Sequence, residues 1–297
     1  MATPPQHSSD APPTPSGVSE RTKSRYKRPR SGMYLLGLLL AGLFVAFEVL
    51  PLVAVCVRAP LRMLKVAQCC QIVRQAMFLS LATSLTTTAL VFIIGTPVAY
   101  TIAMNEFRGK RVLEVLIELP LTLPPVVAGV ALLLAFGRNG YLGKHLSLLG
   151  FDLSFTQGAV IMAQFMVASP YYVKAAISAF QMVPTNLLLA SRTLGAGPIR
   201  TLFTVLLPVC RNGLLAGLAL TWARAVGEFG ATIMFAGNFP GRTQTMPLAV
   251  LTTMQQDLHA GFVLSAMMLA MCLSVFVIVR LLLQSSPEKG TDLTLHG

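Results

Sequence analysis

Arg224 and Glu228 stand four residues apart inside an otherwise apolar run, GLLAGLALTWARAVGEFGATIMFAG. A guanidinium and a carboxylate at that spacing can pair across one helical turn. An unpaired charge at the bilayer centre costs about 2.5–3.5 kcal/mol even on the lenient insertion scale, so both groups must face protein or water. At helical spacing Gly213, Gly217, Thr221, Arg224, Glu228 and Thr232 follow one another at intervals of 4, 4, 3, 4 and 4 and fall on one face. The flanking faces carry Leu218, Leu220, Trp222, Val226, Phe229 and Ile233. A stripe of small residues lets another helix approach closely. The order, positive before negative, is the weaker one for an isolated helix, so the pair is not placed to stabilise the helix alone. Two readings stay open. The pair is a buried structural contact that fixes packing, or Thr221, Arg224, Glu228 and Thr232 border a translocation path or its gate.

Other chemistries lack their residues. The string GRNGYLGKH over 137–145 sets its first glycine six residues before Gly143, and His145 stands where a P-loop needs Ser or Thr for magnesium. His7, His145, His259 and His296 are isolated, and Cys56, Cys69, Cys70, Cys210 and Cys272 show no zinc-ligand spacing. No nucleophile–base set appears. The expectation is therefore no catalytic residue, no metal and no cofactor, with ATP handled elsewhere.

The elements that must position the pair are membrane helices. The chain is 54% hydrophobic and only 11% charged, with mean hydropathy +0.68, against about 25% charged in a soluble domain. Six apolar segments reach span length, at about 33–57, 76–103, 113–137, 157–179, 205–235 and 260–284. Lipid forces such runs to be helical. The expected fold class is an all-α membrane protein with six transmembrane helices. The net charge of +12 sits in a tail and in short loops, which points to anionic lipid headgroups rather than nucleic acid. With the N-terminus in the cytoplasm, fifteen of the 23 Lys and Arg fall inside and seven outside, so both termini are expected to be cytosolic. Residues 1–32, Pro/Ser/Thr-rich and then basic, read as a disordered cytosolic tail, with a transit peptide as the alternative. Residues 33–74 hold the first helix and an outer loop, 75–284 the main membrane domain, and 285–297 a C-terminal tail. In the third span Pro120, Pro124 and Pro125 call for a kink or break, either a simple bend or a gate.

Between the fourth and fifth spans, AFQMVPTNLLLASRTLGAGPIRTLFTVLLP is too punctuated to span. Pro184 can start a short helix, with Thr185 or Asn186 near its cap; Gly195, Gly197 and Pro198 end it. Such a helix exposes Leu187, Leu188, Leu189, Leu194 and Arg192 on the cytosolic side, and an exposed apolar helix needs a partner.

This loop resembles the motif of ABC-importer permeases: Glu-Ala-Ala, three residues, Gly, nine residues, Ile, any residue, Leu-Pro. The matching residues are Leu189-Ala190-Ser191, Gly195, then Val205, Leu206 and Leu207-Pro208. Leu189 stands where the family usually has Glu, and Ser191 where it has the second Ala. Residues 223–250, ARAVGEFGATIMFAGNFPGRTQTMPLAV, and 97–137 are similar to permeases of molybdate and tungstate importers, with sulfate permeases as cousins; the likeness covers about 75–284. It implies a type I importer permease of the cell inner membrane. Two copies would form the pore. Two cytosolic ATPase subunits would dock on the coupling helix, made here by Pro184, Leu188, Leu189, Ala190, Ser191, Arg192, Thr193, Leu194 and Gly195, and an extracytoplasmic oxyanion-binding protein would deliver the ion. The rivals are a sulfate permease of the same fold, a secondary transporter, which should show matching broken helices in two halves, and a membrane enzyme or scaffold.

Overall fold

The computed structural model describes residues 31–59 and 70–284. The tail expected through residue 32 lies, up to residue 30, outside the described residues; so do Arg62, Lys65 and Cys69 of the first outer loop and the tail 285–297. The chain divides into two compact units, 1–50 and 51–297. Helix α1, Ser31–Arg58, supplies the described part of the first unit and enters the second. Its 28 residues hold one proline, Pro51, and its Leu and Phe side chains are exposed, as lipid-facing residues are.

Among the described residues of the second unit, every regular element is a helix. Helix α2 runs Gln71–Met104, α3 Lys110–Thr122, α4 Pro125–Phe136, α5 Gly143–Leu148, α6 Gln157–Gln181, α7 Thr185–Thr193 and α8 Pro198–Thr201. A π turn, Leu202–Leu206, leads into α9, Leu207–Val226, followed by α10 Gly230–Phe235, α11 Met246–Gln256 and α12 Leu258–Gln284. Among the described residues, five helices are long and apolar enough to cross a membrane, and a sixth span is added if α3 and α4 count as one. The first, second, fourth and sixth expected spans are α1, α2, α6 and α12.

Helices α2, α6 and α9 form the centre. Their cluster holds Tyr172, Phe180, Leu206 and Leu214. Two glycines let the backbones close up: a Cβ at Gly217 would stand 2.8 Å from the Ala175 Cβ, and one at Gly213 3.0 Å from the Ala179 Cβ. Several polar groups between these helices are paired. Thr96 Oγ1 and the Tyr172 hydroxyl lie 2.7 Å apart. Gln164, fully buried, donates to Thr83 Oγ1 at 3.2 Å and accepts from Thr87 Oγ1 at 3.0 Å. Bonds of this kind between membrane helices contribute about 0.6–1.7 kcal/mol. Gln164→Leu is therefore expected to lower the melting temperature of the detergent-solubilised protein; an unchanged transition removes the clamp.

The third expected span is not one helix. It breaks at Leu123 and Pro124, and α4 turns by 114° from α3. Pro124 and Pro125 both lack the N–H needed to continue α3, while Pro125 suits the first position of α4. The π turn before α9 has the same origin. Pro208 cannot donate to the carbonyl four residues back, and Leu207 N–H reaches Leu202 O instead. Helix α11, which the sequence reading placed in an outer loop, is anchored by Met246 N–H donating to Ser80 Oγ of α2 at 2.7 Å. It packs with α9 and α12 around Trp222, Val226, Val263 and Met267.

Candidate functional site

The fifth expected span also breaks, and this corrects the single-face stripe. Helix α9 ends at Val226, and Gly227, Glu228 and Phe229 lie outside any helix before α10 begins at Gly230. Gly213 and Gly217 sit on the face of α9 that packs against α6. Glu228 and Thr232 do not continue that face, because the helix that would carry them has stopped. The flanking glycines favour the stop: Gly227 N–H caps α9 on Ala223 O at 3.4 Å, and Glu228 N–H reaches Ala225 O at 3.1 Å.

The pair itself forms. Arg224 Nη1 lies 2.7 Å from Glu228 Oε2. The other carboxylate oxygen, Oε1, accepts the Ala231 N–H at 2.8 Å, so Glu228 caps the first turn of α10. Glu228 is 1% exposed and the Arg224 side chain 24%. One carboxylate thus meets a guanidinium and a backbone donor, which offsets its desolvation. The guanidinium has donors beyond the one facing Glu228, and its partial exposure leaves room for them. Thr221 and Thr232 are fully buried, and neither hydroxyl has a partner among the described residues.

The two breaks meet. A Cβ at Gly230 would come within 2.9 Å of the Pro125 Cβ, and one at Gly129 within 2.7 Å of Ala231 O. Helices α4 and α10 therefore cross in contact, with Ala128, Leu132, Ala231 and Phe235 buried against Val160 and Val167 of α6. Pro125, singled out in one segment, and the Gly-Glu-Phe-Gly run, singled out in another, are neighbours; Pro124 caps α4 just before. Gly129 was not singled out. Its signal was a small residue one helical turn beyond Pro125.

The loop between the fourth and fifth apolar segments folds much as expected. Pro184 is the cap of α7 rather than its first residue, and Leu194 follows the helix. Gly195 has φ +76°, a left-handed turn that a side chain rarely adopts. Leu187, Leu189, Ala190, Arg192, Thr193 and Leu194 are exposed. Leu188 is not: it is half-buried against the central cluster, since the inner face of α7 lies over the body. Ser191 is buried too. Its hydroxyl donates to Leu188 O at 2.8 Å and lies 3.3 Å from Thr201 Oγ1. The hydroxyl that departs from the family pattern is thus satisfied. Among the described residues no group of His, Cys, Asp and Glu is placed to hold a metal.

A multi-pass helical body, two broken helices crossing beside a buried ion pair, and a short exposed helix between two long apolar ones point to a membrane transport component. The chain belongs to the family of binding-protein-dependent transport system inner membrane components, which matches residues 92–285 and so takes in both breaks and the cytosolic loop. A probable transport system permease protein, NifC, of Clostridium pasteurianum is 43% identical over 210 residues, 70% of this chain and 73% of that one. The molybdenum transport system permease protein ModB of Mycobacterium tuberculosis is 36% identical over 248 residues, 84% of this chain and 92% of that one. ModB of Escherichia coli is 39% identical over 182 residues, covering 61% and 80%. Among solved structures, a bacterial ABC transporter that imports alginate superposes with TM-score 0.68 at 12% identity, over 85% of this chain and 94% of that one. The inward-facing MetNI methionine transporter gives 0.56 at 17%, over 72% and 95%. These two likenesses show the fold, that of ABC importer permeases. The chain is a multi-pass inner-membrane transport subunit and not an enzyme.

Proposed function

We propose that this chain is the permease subunit of an ATP-driven importer that carries molybdate, with tungstate as a second accepted oxyanion. The observation that carries the reading is its 36% identity to a molybdenum permease along 84% of the chain, joined to the ion pair at the crossing of α4 and α10. Two copies form the pore, two cytosolic ATPase subunits dock on α7, and an extracytoplasmic protein delivers the ion. Both termini face the cytoplasm, and residues 75–284 form the permease body behind a basic tail.

In this reading the exposed edge of Arg224 meets the oxyanion, since a planar guanidinium offers several N–H donors to tetrahedral oxygens. Glu228 holds the opposite edge and balances its charge, so the dianion passes instead of staying. Closure of the ATPases moves α7, and the continuous run α8–π turn–α9, joined to α7 by the turn 194–197, carries the motion to Arg224. Thr221, Thr232, Pro124 and Pro125 move with the gate.

The test is uptake of labelled molybdate in cells that express the chain with its ATPase and binding protein. Excess tungstate is expected to block it and sulfate is not. Equal block by sulfate moves the substrate to the sulfate branch. Arg224→Ala is expected to slow uptake at equal protein level; an unchanged rate takes Arg224 off the path.

A further inference from the structure

The solvent side of the cytosolic segment is apolar and basic at once. Leu189 is 54% exposed, Leu194 84% and Ile199 75%. Arg192 and Arg200 are exposed among them, and no acidic residue occurs between Asp152 and Glu228. The segment is also tied to the body. Leu188 packs inward, and Ser191 is tied to Leu188 O and set beside Thr201 Oγ1 of α8, which fixes how the leucines are presented.

We infer that α7 and the turn after it fit an ATPase subunit whose receiving groove is apolar where it meets Leu189 and Leu194 and carries carboxylates where it meets Arg192 and Arg200. The inference rests on the reading of this chain as the permease of an ATP-driven importer, and it names the surface of the partner. Exposed leucines gain by leaving water only if the facing wall is apolar. Two unpaired guanidiniums on the rim steer and fix the register of a partner of opposite charge. Leu189, where the family usually has Glu, puts an alkyl group and no carboxylate on the face that docks, so the facing wall needs no base there. Such a groove discriminates against permeases that carry glutamate there, because their carboxylate would be buried unpaired.

The other surface that attracts leucine and arginine is an anionic membrane. A helix lying in headgroups separates an apolar face from a polar one. The outward side of α7 does not: Thr185, Asn186 and Thr193 are exposed together with Leu187 and Leu189.

The experiment uses inside-out membrane vesicles stripped of ATPase, with Leu189→Cys or Leu194→Cys in a chain whose native cysteines are replaced. A membrane-impermeant maleimide is expected to label both positions, and the purified cognate ATPase subunit to shield both. Leu189→Glu and Arg192→Glu are each expected to raise the apparent Kd for that subunit about tenfold, as loss of an anchor at an interface does. Undiminished binding by Leu189→Glu overturns the apolar groove, and undiminished binding by Arg192→Glu overturns the acidic rim. Shielding of Leu189→Cys before any ATPase is added assigns the surface to lipid and overturns both. If the unaltered chain binds no ATPase, the importer reading falls and this inference falls with it.

Discussion

Glu228→Lys is expected to abolish molybdate uptake, Glu228→Ala to cut it by about two orders of magnitude or to prevent accumulation of the protein, and Phe229→Ala to keep most of it. Glu228 is 1% exposed and makes two contacts, Arg224 Nη1 at 2.7 Å and Ala231 N–H at 2.8 Å. Removing one partner of a buried ion pair costs about 3–5 kcal/mol, because the other charge is left without compensation. A lysine there adds a second positive charge beside Arg224. Phe229 is only half-buried and makes neither contact. Glu228→Gln separates the two roles. Its amide oxygen can still cap α10, while Arg224 loses its counter-charge. Normal protein level with a lower KM and a lower maximal rate marks charge balance along the path. Wild-type kinetics in Glu228→Gln leave Glu228 as a cap alone, and wild-type uptake by Glu228→Lys removes it from function.

Gly129→Ala and Gly230→Val are expected to lower uptake at least about tenfold at unchanged membrane level, and Gly158→Ala is not. A Cβ at Gly129 meets Ala231 O at 2.7 Å and Met234 Cβ at 2.8 Å, so α4 and α10 must move apart. At Gly158 the nearest atom is Thr156 Oγ1 at 3.4 Å, an ordinary contact. Overpacking a close interface costs about 1–3 kcal/mol. Here that strain falls on the crossing that joins the two breaks. Uptake in vesicles, normalised to the permease detected by blotting, measures it. Full activity in Gly129→Ala means the crossing tolerates a wider separation and does not constrain transport.

Much of the architecture was legible in the chain because a bilayer leaves few choices. Apolar length specifies helices, since lipid offers no partner for a free N–H. Pro184 and Gly195 bounded the cytosolic helix to within a residue or two, because each limits its own backbone locally. The pairing of Arg224 with Glu228 was legible as well, since a spacing of four brings them within reach whether or not the helix continues. The stripe was misjudged beyond Arg224. Helical periodicity assumes that the helix goes on, and a buried carboxylate capping a new helix is a rival use of the same residue. Leu188 was misplaced because a nine-residue helix does not reveal which side the body lies on.

By itself the sequence determined that this is a basic membrane protein with six apolar segments, a charged pair in the fifth, prolines that kink or break the third, and a short helix between the fourth and fifth. Those are properties of composition and near neighbours. Only the tertiary structure decided that the two breaks touch at Pro125–Gly230 and Gly129–Ala231, that Ser191 is held beside Thr201, and that Gln164 links α2 to α6. Each joins residues far apart along the chain or set by how one helix rests on another, and close packing of bulky and small side chains selects among the many helix arrangements that the same apolar pattern allows.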